Sequence, residues 1–428
     1  MRKTPLLTAS LLLLASAFAA GVPLPSRRSE IVEVVEKVSP AVVNIAAQQT
    51  VRRNRSLFDD FFFGMDPRPA KSLGSGVIID PKGIILTNDH VISGASKIIA
   101  TTKDGKELEC DVVGSDADND LAVLKARGAV SNLPTLRLGT SADLLIGETV
   151  VAIGNPFGLS NTVTAGVLSA LGRSVPGENQ RVYSDFLQID APINPGNSGG
   201  PVVNIQGDMI GVATAIIGGA QGIGFAIPVD RARRIVSDLL KFGRVQPVWI
   251  GVRGRTISGR DEERPRGFKV RNVEPGSPAE RAGVRPGDQI VSIDEKPIDS
   301  EESFETALST RGPGKSMRVV LKSESGSRTV TLTGQTPPAD YGVRLLREEL
   351  GITVREGRRG LRITIVDPKG SAARAGLESG DALLALNGTE VNEVEDVNKI
   401  LQRDHSRTTL WMVVGRGSWQ YTLTFPLN

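Results

Sequence analysis

Several residue types and patterns are scarce in this 428-residue sequence, and each absence excludes a class of protein. The only cysteine, Cys110, cannot form an intrachain disulfide, and its alternation with Leu108 and Val112 predicts a side chain in a core, not a catalytic thiol. Lysines and arginines (51) barely exceed aspartates and glutamates (48), and no basic stripe with interleaved aromatics occurs. We therefore expect no nucleic-acid partner. The sequence also lacks a P-loop, and we expect neither a cofactor nor a metal ion.

The N-terminus has the features of a secretory signal. Basic Arg2 and Lys3 precede an apolar stretch that runs to about Phe18, and small residues flank Phe18. The stretch is shorter than the roughly 20 residues that a membrane span needs, so a signal over residues 1–19 is favoured over an uncleaved anchor. No cysteine lies near the cleavage region, which excludes a lipid anchor there. No later segment is apolar enough to span a bilayer. We therefore expect an exported chain.

Composition and length predict several mainly β domains. Glycine is abundant and aromatic residues are scarce, which favours short strands joined by tight turns. Domains of about 100–200 residues would divide this chain into two to four, and the pattern indicates three. Short apolar runs typical of barrel strands begin at Gly74, and a helical pattern that stops at Gly243 follows them. The first domain is thus predicted at 74–243, with a core beginning near residue 30, after an N-terminal segment at 20–73.

An internal repeat occupies the remainder of the chain. The segment SPAERAGVRPGDQIVSI aligns with GSAARAGLESGDALLAL, so that Gly283 recurs as Gly376, 93 residues later. Both copies have an Ala-Gly turn, a Gly-Asp turn and a following apolar strand. This agreement predicts two copies of one domain, at 244–336 and 337–428.

A glycine-rich segment and a histidine offer the parts of a nucleophilic site. A serine hydroxyl needs an adjacent imidazole, a group that orients the imidazole, and amides that hold the oxyanion. Ser198 lies in INPGNSGGPVV, whose glycines allow a tight turn with converging N–H groups, although a hairpin without chemistry is the alternative. Of the two histidines, His405 lies in a polar helical stretch, where we expect a solvated surface position. His90, just after the apolar strand of GIILTNDHVIS, is therefore the candidate base.

The third member should be a carboxylate that is buried against the imidazole. The segment SDADNDLAVLKA offers Asp116, Asp118 and Asp120, of which only Asp120 abuts the apolar strand. The other two fit a solvated turn, and Asp89 is adjacent to His90, which points its side chain elsewhere in an extended chain. The chain order His, Asp, Ser is that of the chymotrypsin arrangement.

These motifs resemble those of the HtrA (Deg) family of trypsin-like proteases, and the resemblance covers nearly the whole mature chain. The matching motifs are TNDHV, DLAVL, GNSGGP, GNPFG and GIGFAIP. The resemblance implies a catalytic triad of His90, Asp120 and Ser198, and an oxyanion hole formed by the amides of Gly196 and Ser198, assisted by Asn197. It also implies a mainly β fold: a chymotrypsin-like double β-barrel followed by two PDZ domains, each a small β-barrel or sandwich with two helices.

The segment around the nucleophile departs slightly from the family's usual QTDAAINPGNSGG. It has Ile189 and Pro192 at two positions, neither of which is a reacting group. The primary specificity pocket should be lined by the INPGN loop and by ATAIIGGAQGIGF, and the second of these contains no acidic residue. Selection of lysine or arginine is therefore disfavoured, and the resemblance implies cleavage after small aliphatic residues.

Each repeat begins with an aliphatic-glycine-aliphatic turn that resembles the carboxylate-binding loop of PDZ domains. The two turns are Ile250-Gly251-Val252 and Leu350-Gly351-Ile352. In such domains an extended peptide adds a strand, and backbone amides hold its terminal carboxylate. The alternative is a β-domain that only stiffens the protein or mediates assembly, and the first repeat is the favoured binding site. A charged insertion at 257–267 distinguishes the first repeat, and we assign it no role.

Two further features resemble regulatory elements of the family. The segment Phe58–Phe63 places four aromatic residues in a polar loop, similar to the loop through which family members regulate assembly, although a disordered loop is the alternative. Arg173 resembles the arginine that receives a signal from a neighbouring subunit's sensor loop, which here would be Val175–Phe186. The resemblance implies a homotrimer or a higher multiple of trimers.

The function expected from these features is that of an ATP-independent serine endopeptidase of the cell envelope, most consistent with a bacterial periplasm. It would degrade unfolded or damaged proteins and bind C-terminal peptides at its PDZ domains. One alternative is a chaperone or peptide-binding scaffold in which the barrels only hold clients. Another is a regulatory protease that cuts one signalling substrate, but two PDZ repeats fit the degradative subgroup better.

Overall fold

A computed structural model describes residues 27–49, 71–155, 161–176, 182–194, 196–216, 222–257, 267–358 and 360–427. The predicted signal at 1–19, the aromatic loop at 58–63 and nearly all of the 257–267 insertion lie outside these ranges. Within them, no helix combines the length and the apolar character that crossing a membrane requires.

The first six strands form a closed antiparallel barrel in the order β1-β2-β3-β6-β5-β4. They are β1 (Val42–Gln49), β2 (Lys71–Asp80), β3 (Ile84–Thr87), β4 (Ala95–Thr101), β5 (Glu107–Asp116) and β6 (Leu121–Ala126). A short helix, α2 (Asp89–Ile92), follows β3 at the rim. Cys110 lies in the barrel core, as its alternation predicts, and burial raises the pKa of its thiol to about 11. That position and that pKa both argue against a reactive thiolate.

A second closed barrel follows, in the order β10-β11-β12-β9-β8-β7. Its strands are β7 (Thr149–Gly154), β8 (Thr162–Pro176), β9 (Val182–Ile189), β10 (Pro201–Asn204), β11 (Met209–Ile216) and β12 (Gly224–Pro228). One buried cluster spans both barrels, with Val77 and Leu121 from the first and Ile153 and Val212 from the second. The two barrels therefore share one close-packed core.

Two helices pack against the shared core. Helix α1 (Glu30–Val38) begins at Ser29, whose hydroxyl accepts from the Val32 amide, and it buries Val34 and Val38 in the shared cluster. Helix α3 (Val229–Phe242) contributes apolar residues at helical spacing and ends at Gly243, whose φ of 69° is left-handed. A helical stop at this glycine was predicted from the sequence.

The two repeats have the same sheet topology, β13-β14-β15-β17-β18 and β19-β20-β21-β23-β24, each with one extra short strand. The first has β13 (Val252–Ile257), β14 (Gly267–Val273), β15 (Gln289–Ile293), β16 (Lys296–Pro297), β17 (Ser316–Ser323) and β18 (Gly326–Thr333), with helices α4 (Pro278–Arg281) and α5 (Glu301–Ser309). The second has β19 (Ile352–Gly357), β20 (Gly360–Val366), β21 (Ala382–Leu386), β22 (Thr389–Glu390), β23 (Thr409–Arg416) and β24 (Trp419–Pro426), with helices α7 (Ser371–Arg374) and α8 (Val394–Arg403). It also begins with α6 (Tyr341–Leu345) and a π-helical turn, Leu346–Leu350. In addition to the two helices expected of each domain, the second copy thus has a helical segment before its first strand.

Candidate active site

The candidate base and its orienting carboxylate meet at the rim of the first barrel. Nδ1 of His90, on α2, lies 2.8 Å from both Oδ1 and Oδ2 of Asp120, at the start of β6. The His90 backbone N–H also donates to Asp120 Oδ1 at 3.0 Å. The two side chains are 22% and 19% exposed. This geometry directs Nδ1 at the carboxylate and leaves Nε2 as the ring nitrogen that can face a nucleophile.

The backbone around Asp120 explains why this aspartate, and not its neighbours, reaches His90. Asp120 has a φ of 51°, a left-handed conformation that aspartate tolerates better than most residues, and its carbonyl accepts from Asn88 Nδ2 at 2.7 Å. Asp116 is the half-buried last residue of β5, and its carboxylate accepts from the Asp118 amide at 3.1 Å. Asp118 itself is exposed. Asp118 therefore lies in the exposed turn that the sequence predicts, whereas the solvated turn position predicted for Asp116 is wrong, because β5 extends through Asp116 to pair with Leu121 of β6.

Thr214 joins this group, although its residue type gave no signal in the sequence. Its Oγ1 donates to Asp120 Oδ2 at 2.5 Å, and its carbonyl accepts from Ser198 Oγ at 3.1 Å. Thr214 lies on β11 and is 2% exposed, while Ser198 is 3% exposed. One residue of the second barrel therefore contacts both the candidate nucleophile and the carboxylate, and the register of β11 in the barrel decides this.

The turn that carries Ser198 is held in one conformation. Gly196 and Gly199 have φ values of 102° and 82°, which favour glycine. The Gly199 amide donates to Ala213 O at 2.8 Å, and the Gly200 amide donates to Asn197 O at 2.9 Å. Within the described residues, the amides of Gly196 and Ser198 have no backbone or side-chain acceptor. Both donors of the expected oxyanion hole are thus available to a ligand there.

The side chain of Asn197 is buried against the neighbouring backbone. It is 1% exposed, its Nδ2 donates to Pro192 O at 3.5 Å, and its Oδ1 lies 2.3 Å from the position of a Cβ built on Gly154. Because Gly154 has no side chain, the Asn197 side-chain amide can occupy this space. The Asn197 backbone N–H is also engaged, since it donates to Asn194 O at 3.0 Å.

The two segments expected to line the specificity pocket meet in the second barrel. A Cβ built on Gly224 would lie 2.8 Å from Ile193 Cγ1, so the Ile193 side chain packs closely against the Gly224 backbone. Ile193 and Ala213 belong to the buried apolar cluster of this barrel. None of the described residues in these two segments is acidic. This composition matches an apolar side chain better than a basic one.

The predicted carboxylate loop of the first repeat is a buried turn that precedes an edge strand. Gly251 has a φ of 75°, and a Cβ on it would lie 2.1 Å from the Ser277 Cβ, so only glycine fits. Ile250 and Val252 are 1% and 5% exposed. Strand β13, which follows, is at the edge of its sheet. An edge strand beside such a turn is the arrangement that peptide addition requires.

The second repeat packs against this loop. The ring of Trp249 contacts the edge of Tyr341, with centroids 6.4 Å apart, and Arg253 on β13 pairs with Glu349 at 2.5 Å. In the second repeat itself, Leu350 and Ile352 are fully buried, and the glycine between them again has a φ of 75°. The structure therefore gives both repeats the same turn, and it places the second repeat against the first one's turn.

The surface position expected for His405 is wrong. The residue follows α8 at the contact between the two repeats, where it is half-buried. Burial lowers the pKa of His405 to about 4, while a hydrogen bond to the Val248 backbone acts in the opposite direction. The polar residues around His405 in the sequence did not indicate this burial, because the residues that cover His405 belong to the other repeat.

Arg173 lies on β8, is exposed, and donates from Nε to Gln188 Oε1 at 2.9 Å. The sensor loop expected at 175–186 is largely a strand pair instead. Val175 and Pro176 continue β8 and pair with Tyr183 and Val182 of β9, and residues 177–181 lie outside the described part. The ladder between β8 and β9 thus extends further than the sequence pattern indicated.

Comparisons with known proteins identify the protease domain and both repeats. The family model described as a trypsin-like peptidase domain matches residues 74–212, and two PDZ-domain models match residues 269–322 and 343–415. A probable periplasmic serine endoprotease, DegP-like, of Halomonas elongata is 35% identical over 92% of this chain and 91% of the relative. The periplasmic pH-dependent serine endoprotease DegQ of Escherichia coli is 36% identical over 92% of this chain and 90% of the relative.

A solved structure titled HtrA-type protease AlgW with tripeptide is 36% identical, with a TM-score of 0.54. It covers 72% of this chain and 98% of the AlgW chain.

Among the described residues of the present chain, no group of three or more His, Cys, Asp or Glu side chains could hold a metal ion.

Proposed function

Because the chain belongs to the HtrA (Deg) family of trypsin-like serine endopeptidases with PDZ domains, we propose that it degrades unfolded or damaged envelope proteins without ATP. It is a serine endopeptidase with a trypsin-like domain and two PDZ domains. The observation that supports the proposal is that Thr214 contacts both Ser198 and Asp120, and that Asp120 in turn faces Nδ1 of His90. No P-loop occurs in the sequence, which is consistent with hydrolysis that needs no nucleotide.

The proposed mechanism assigns one role to each member of the triad. Ser198 Oγ attacks the scissile carbonyl carbon while its proton passes to Nε2 of His90. Asp120, which faces Nδ1 at 2.8 Å, orients the ring and stabilises the imidazolium that forms. His90 then returns the proton to the leaving amine, and an acyl-enzyme remains on Ser198. A water that His90 deprotonates hydrolyses this ester and restores the serine.

The negative charge that develops on the carbonyl oxygen needs donors that are already in position. The amides of Gly196 and Ser198 would supply them, since both lie in the turn that the glycines shape. Donors that the turn already holds in place would need little reorganisation during the reaction.

Cleavage is proposed to follow small aliphatic residues such as valine and alanine. The described part of the pocket, around Ile193 and Ala213, is apolar and offers no counter-ion, so a lysine or arginine side chain would be buried unpaired. Sequencing the ends of fragments from a digested unfolded protein tests this. Cuts made mainly after lysine or arginine would contradict it.

Peptides that end in an apolar residue with a free carboxylate are proposed to bind the first PDZ domain and to regulate the protease. The turn at Ile250–Val252 and the edge strand β13 support this. Amidation of the terminal carboxylate should weaken binding, because the amide nest would lose its anion. Equal affinity of the two forms would contradict the assignment of the turn.

Assembly and location complete the proposal. We infer a homotrimer or a multiple of trimers in the periplasm, reached after removal of a signal at residues 1–19. The family relation and the periplasmic relatives support this inference. Light scattering on the purified protein and N-terminal sequencing of the mature chain test the two parts. A monomer would contradict the first part, and an intact Met1 on the exported protein would contradict the second.

The central experiment is digestion of a reduced, unfolded protein by wild type, Ser198→Ala and His90→Ala. Both variants should lose hydrolysis while they remain folded, because removal of the nucleophile or the base disables the same unit. Cleavage by Ser198→Ala would refute the mechanism. A wild-type protein that only suppresses aggregation of the client, with no cleavage, would support the holding scaffold instead.

A further inference from the structure

Ser75, on β2 of the first barrel, contacts the nucleophile turn of the second barrel through both its side chain and its backbone. Its Oγ donates to Gly196 O at 2.5 Å, and its N–H donates to Ser198 O at 2.8 Å. The residue is fully buried. One residue of the first barrel therefore holds two carbonyls of the turn that carries the nucleophile.

The direction of the Ser75 hydroxyl is fixed by a third contact. The backbone N–H of Asn155, just after β7, donates to Ser75 Oγ at 2.8 Å. A hydroxyl has one proton and can accept as well as donate, so this contact leaves the Ser75 proton for Gly196 O. Asn155 is itself held, since its carbonyl accepts from Asn44 Nδ2 at 2.7 Å. The Ser75 hydroxyl thus donates to one partner and accepts from another, at a site that is not exposed to solvent.

The carbonyls that Ser75 holds belong to the two residues whose amides would bind the oxyanion. Fixing Gly196 O and Ser198 O limits rotation of the peptide planes on the carbonyl side of each residue. Gly196 has a φ of 102° and no side chain, so its own conformational preference would hold it weakly. The constraint must come from a neighbour, and Ser75 is the described residue that provides it through a side chain.

Packing at this point leaves little room for the turn to move. A Cβ built on Gly199 would lie 2.2 Å from Ser75 O. The same Ser75 carbonyl accepts from Thr87 Oγ1 at 2.7 Å, which ties β2 to β3. The backbone of Ser75 is therefore supported independently of the contact that its side chain makes with the turn.

We propose that Ser75 is a positioning residue of the oxyanion hole, which it holds in shape through the hydrogen bond from its hydroxyl to Gly196 O. The proposal rests on the catalytic role proposed above for Ser198 and the Gly196 amide. Ser75 does not touch the substrate, so its loss should affect the stabilisation of the transition state and leave ground-state binding nearly unchanged.

The size of the effect follows from what the variant keeps. Removing an oxyanion donor outright typically lowers kcat by roughly a hundred- to a thousand-fold. Ser75→Ala retains both amides and the Ser75 N–H bond to Ser198 O, and it loses only the support of Gly196 O. We expect kcat to fall by roughly ten- to a hundred-fold, with KM within about two-fold of wild type.

The test compares Ser75→Ala with Thr87→Val in the full-length chain. Thr87→Val is a matched control, because it removes one buried hydroxyl bond to the same residue, at Ser75 O, and leaves Gly196 O bonded. Measurements are the melting temperature, kcat and KM on a peptide cleaved after valine, and the rate of inactivation by diisopropyl fluorophosphate. The phosphoryl oxygen of that reagent occupies an oxyanion hole when the serine is modified.

Ser75→Ala should lose kcat and reactivity with diisopropyl fluorophosphate by the same factor, while Thr87→Val keeps both within about three-fold at a similar melting temperature. Equal losses of kcat in the two variants would overturn the proposal, as would a loss in Ser75→Ala that appears in KM alone. If Ser75→Ala does not fold, Ser75→Cys fills the site with a slightly larger side chain that is a weaker donor. It should then show a lower kcat at unchanged KM, and a wild-type kcat would overturn the proposal.

Failure of this proposal can be told apart from failure of the proposed function. If Ser198→Ala still hydrolyses the peptide, the catalytic assignment itself is refuted. If Ser198→Ala is inactive while Ser75→Ala has wild-type kcat, the assignment of Ser198 stands and only the role of Ser75 is refuted.

Discussion

Thr214→Val removes a hydrogen bond from the candidate triad while it keeps the shape of the side chain. The Thr214 hydroxyl donates to Asp120 Oδ2 at 2.5 Å from a position that is 2% exposed. Valine replaces that hydroxyl by a methyl group of similar size. The bond from Ser198 Oγ to Thr214 O uses the backbone carbonyl and should remain.

The expected magnitude follows from the partners that Asp120 keeps. A hydrogen bond to a charged group contributes about 1.5–3 kcal/mol to stability. After the substitution the carboxylate still accepts from the His90 backbone at 3.0 Å and faces Nδ1 at 2.8 Å, and at 19% exposure water can reach it in part. We therefore expect a loss of about 1.5–2 kcal/mol in the free energy of unfolding of the protease domain. We also expect kcat to fall by roughly ten-fold, which corresponds to about 1.4 kcal/mol.

The assay is steady-state hydrolysis of a peptide substrate together with thermal unfolding. A loss of this size should lower the melting temperature of a domain of this length by roughly 3–8 °C. Thr214→Ser is the matched control, because it keeps the hydroxyl and loses only a methyl group. If Thr214→Val matches Thr214→Ser in both kcat and melting temperature, the hydrogen bond to Asp120 has no role in catalysis or stability.

Three further predictions concern the regions outside the triad. Burial, with like-charged neighbours, raises the pKa of Glu301 from 4.5 to about 7. The contribution of Glu301 to the free energy of unfolding is therefore full below pH 4.5 and is lost as the pH rises through 7. Thermal unfolding of Glu301→Gln should lack this part of the pH dependence. Glu349→Ala, which breaks the 2.5 Å pair with Arg253, should increase the affinity of the first PDZ domain for a labelled C-terminal peptide several-fold. The control Glu348→Ala, at an exposed neighbouring position, should not change this affinity. Equal affinities of the two variants would show that the second repeat does not limit access of the peptide to β13. Arg173→Ala should keep peptide affinity near normal and lose most peptide stimulation of hydrolysis, and a fully stimulated variant would contradict a signalling role.

The sequence could predict much of the candidate site because its signals are local. Glycines at fixed offsets around Ser198 specify a tight turn, and the structure gives Gly196 and Gly199 left-handed φ values. The apolar strand after Asp120 separated that residue from Asp116 and Asp118, and the structure brings Asp120 to His90. The helical stop at Gly243 followed from the preference of glycine for a helix C-terminus.

Other assignments failed because they depend on surfaces that distant segments provide. His405 was expected in solvent on the evidence of its polar neighbours, yet the first repeat covers it. The segment 175–186 was expected as a loop, but β8 and β9 pair through Val175 and Tyr183. In both cases the decisive partner is another strand or domain, about which periodicity within the segment carries no information.

By itself, the sequence predicted the repeat, several turns and a candidate triad, because each depends on residues that are close along the chain or on a requirement for one residue type. Only the tertiary structure decided that Thr214 contacts Asp120 and that Ser75 holds Gly196, across 94 and 121 residues of chain. Threonine and serine are common residues with no positional signal of their own. Their roles come from the register of β11 and β2 in two closed barrels, and that register is set by the packing of the whole core.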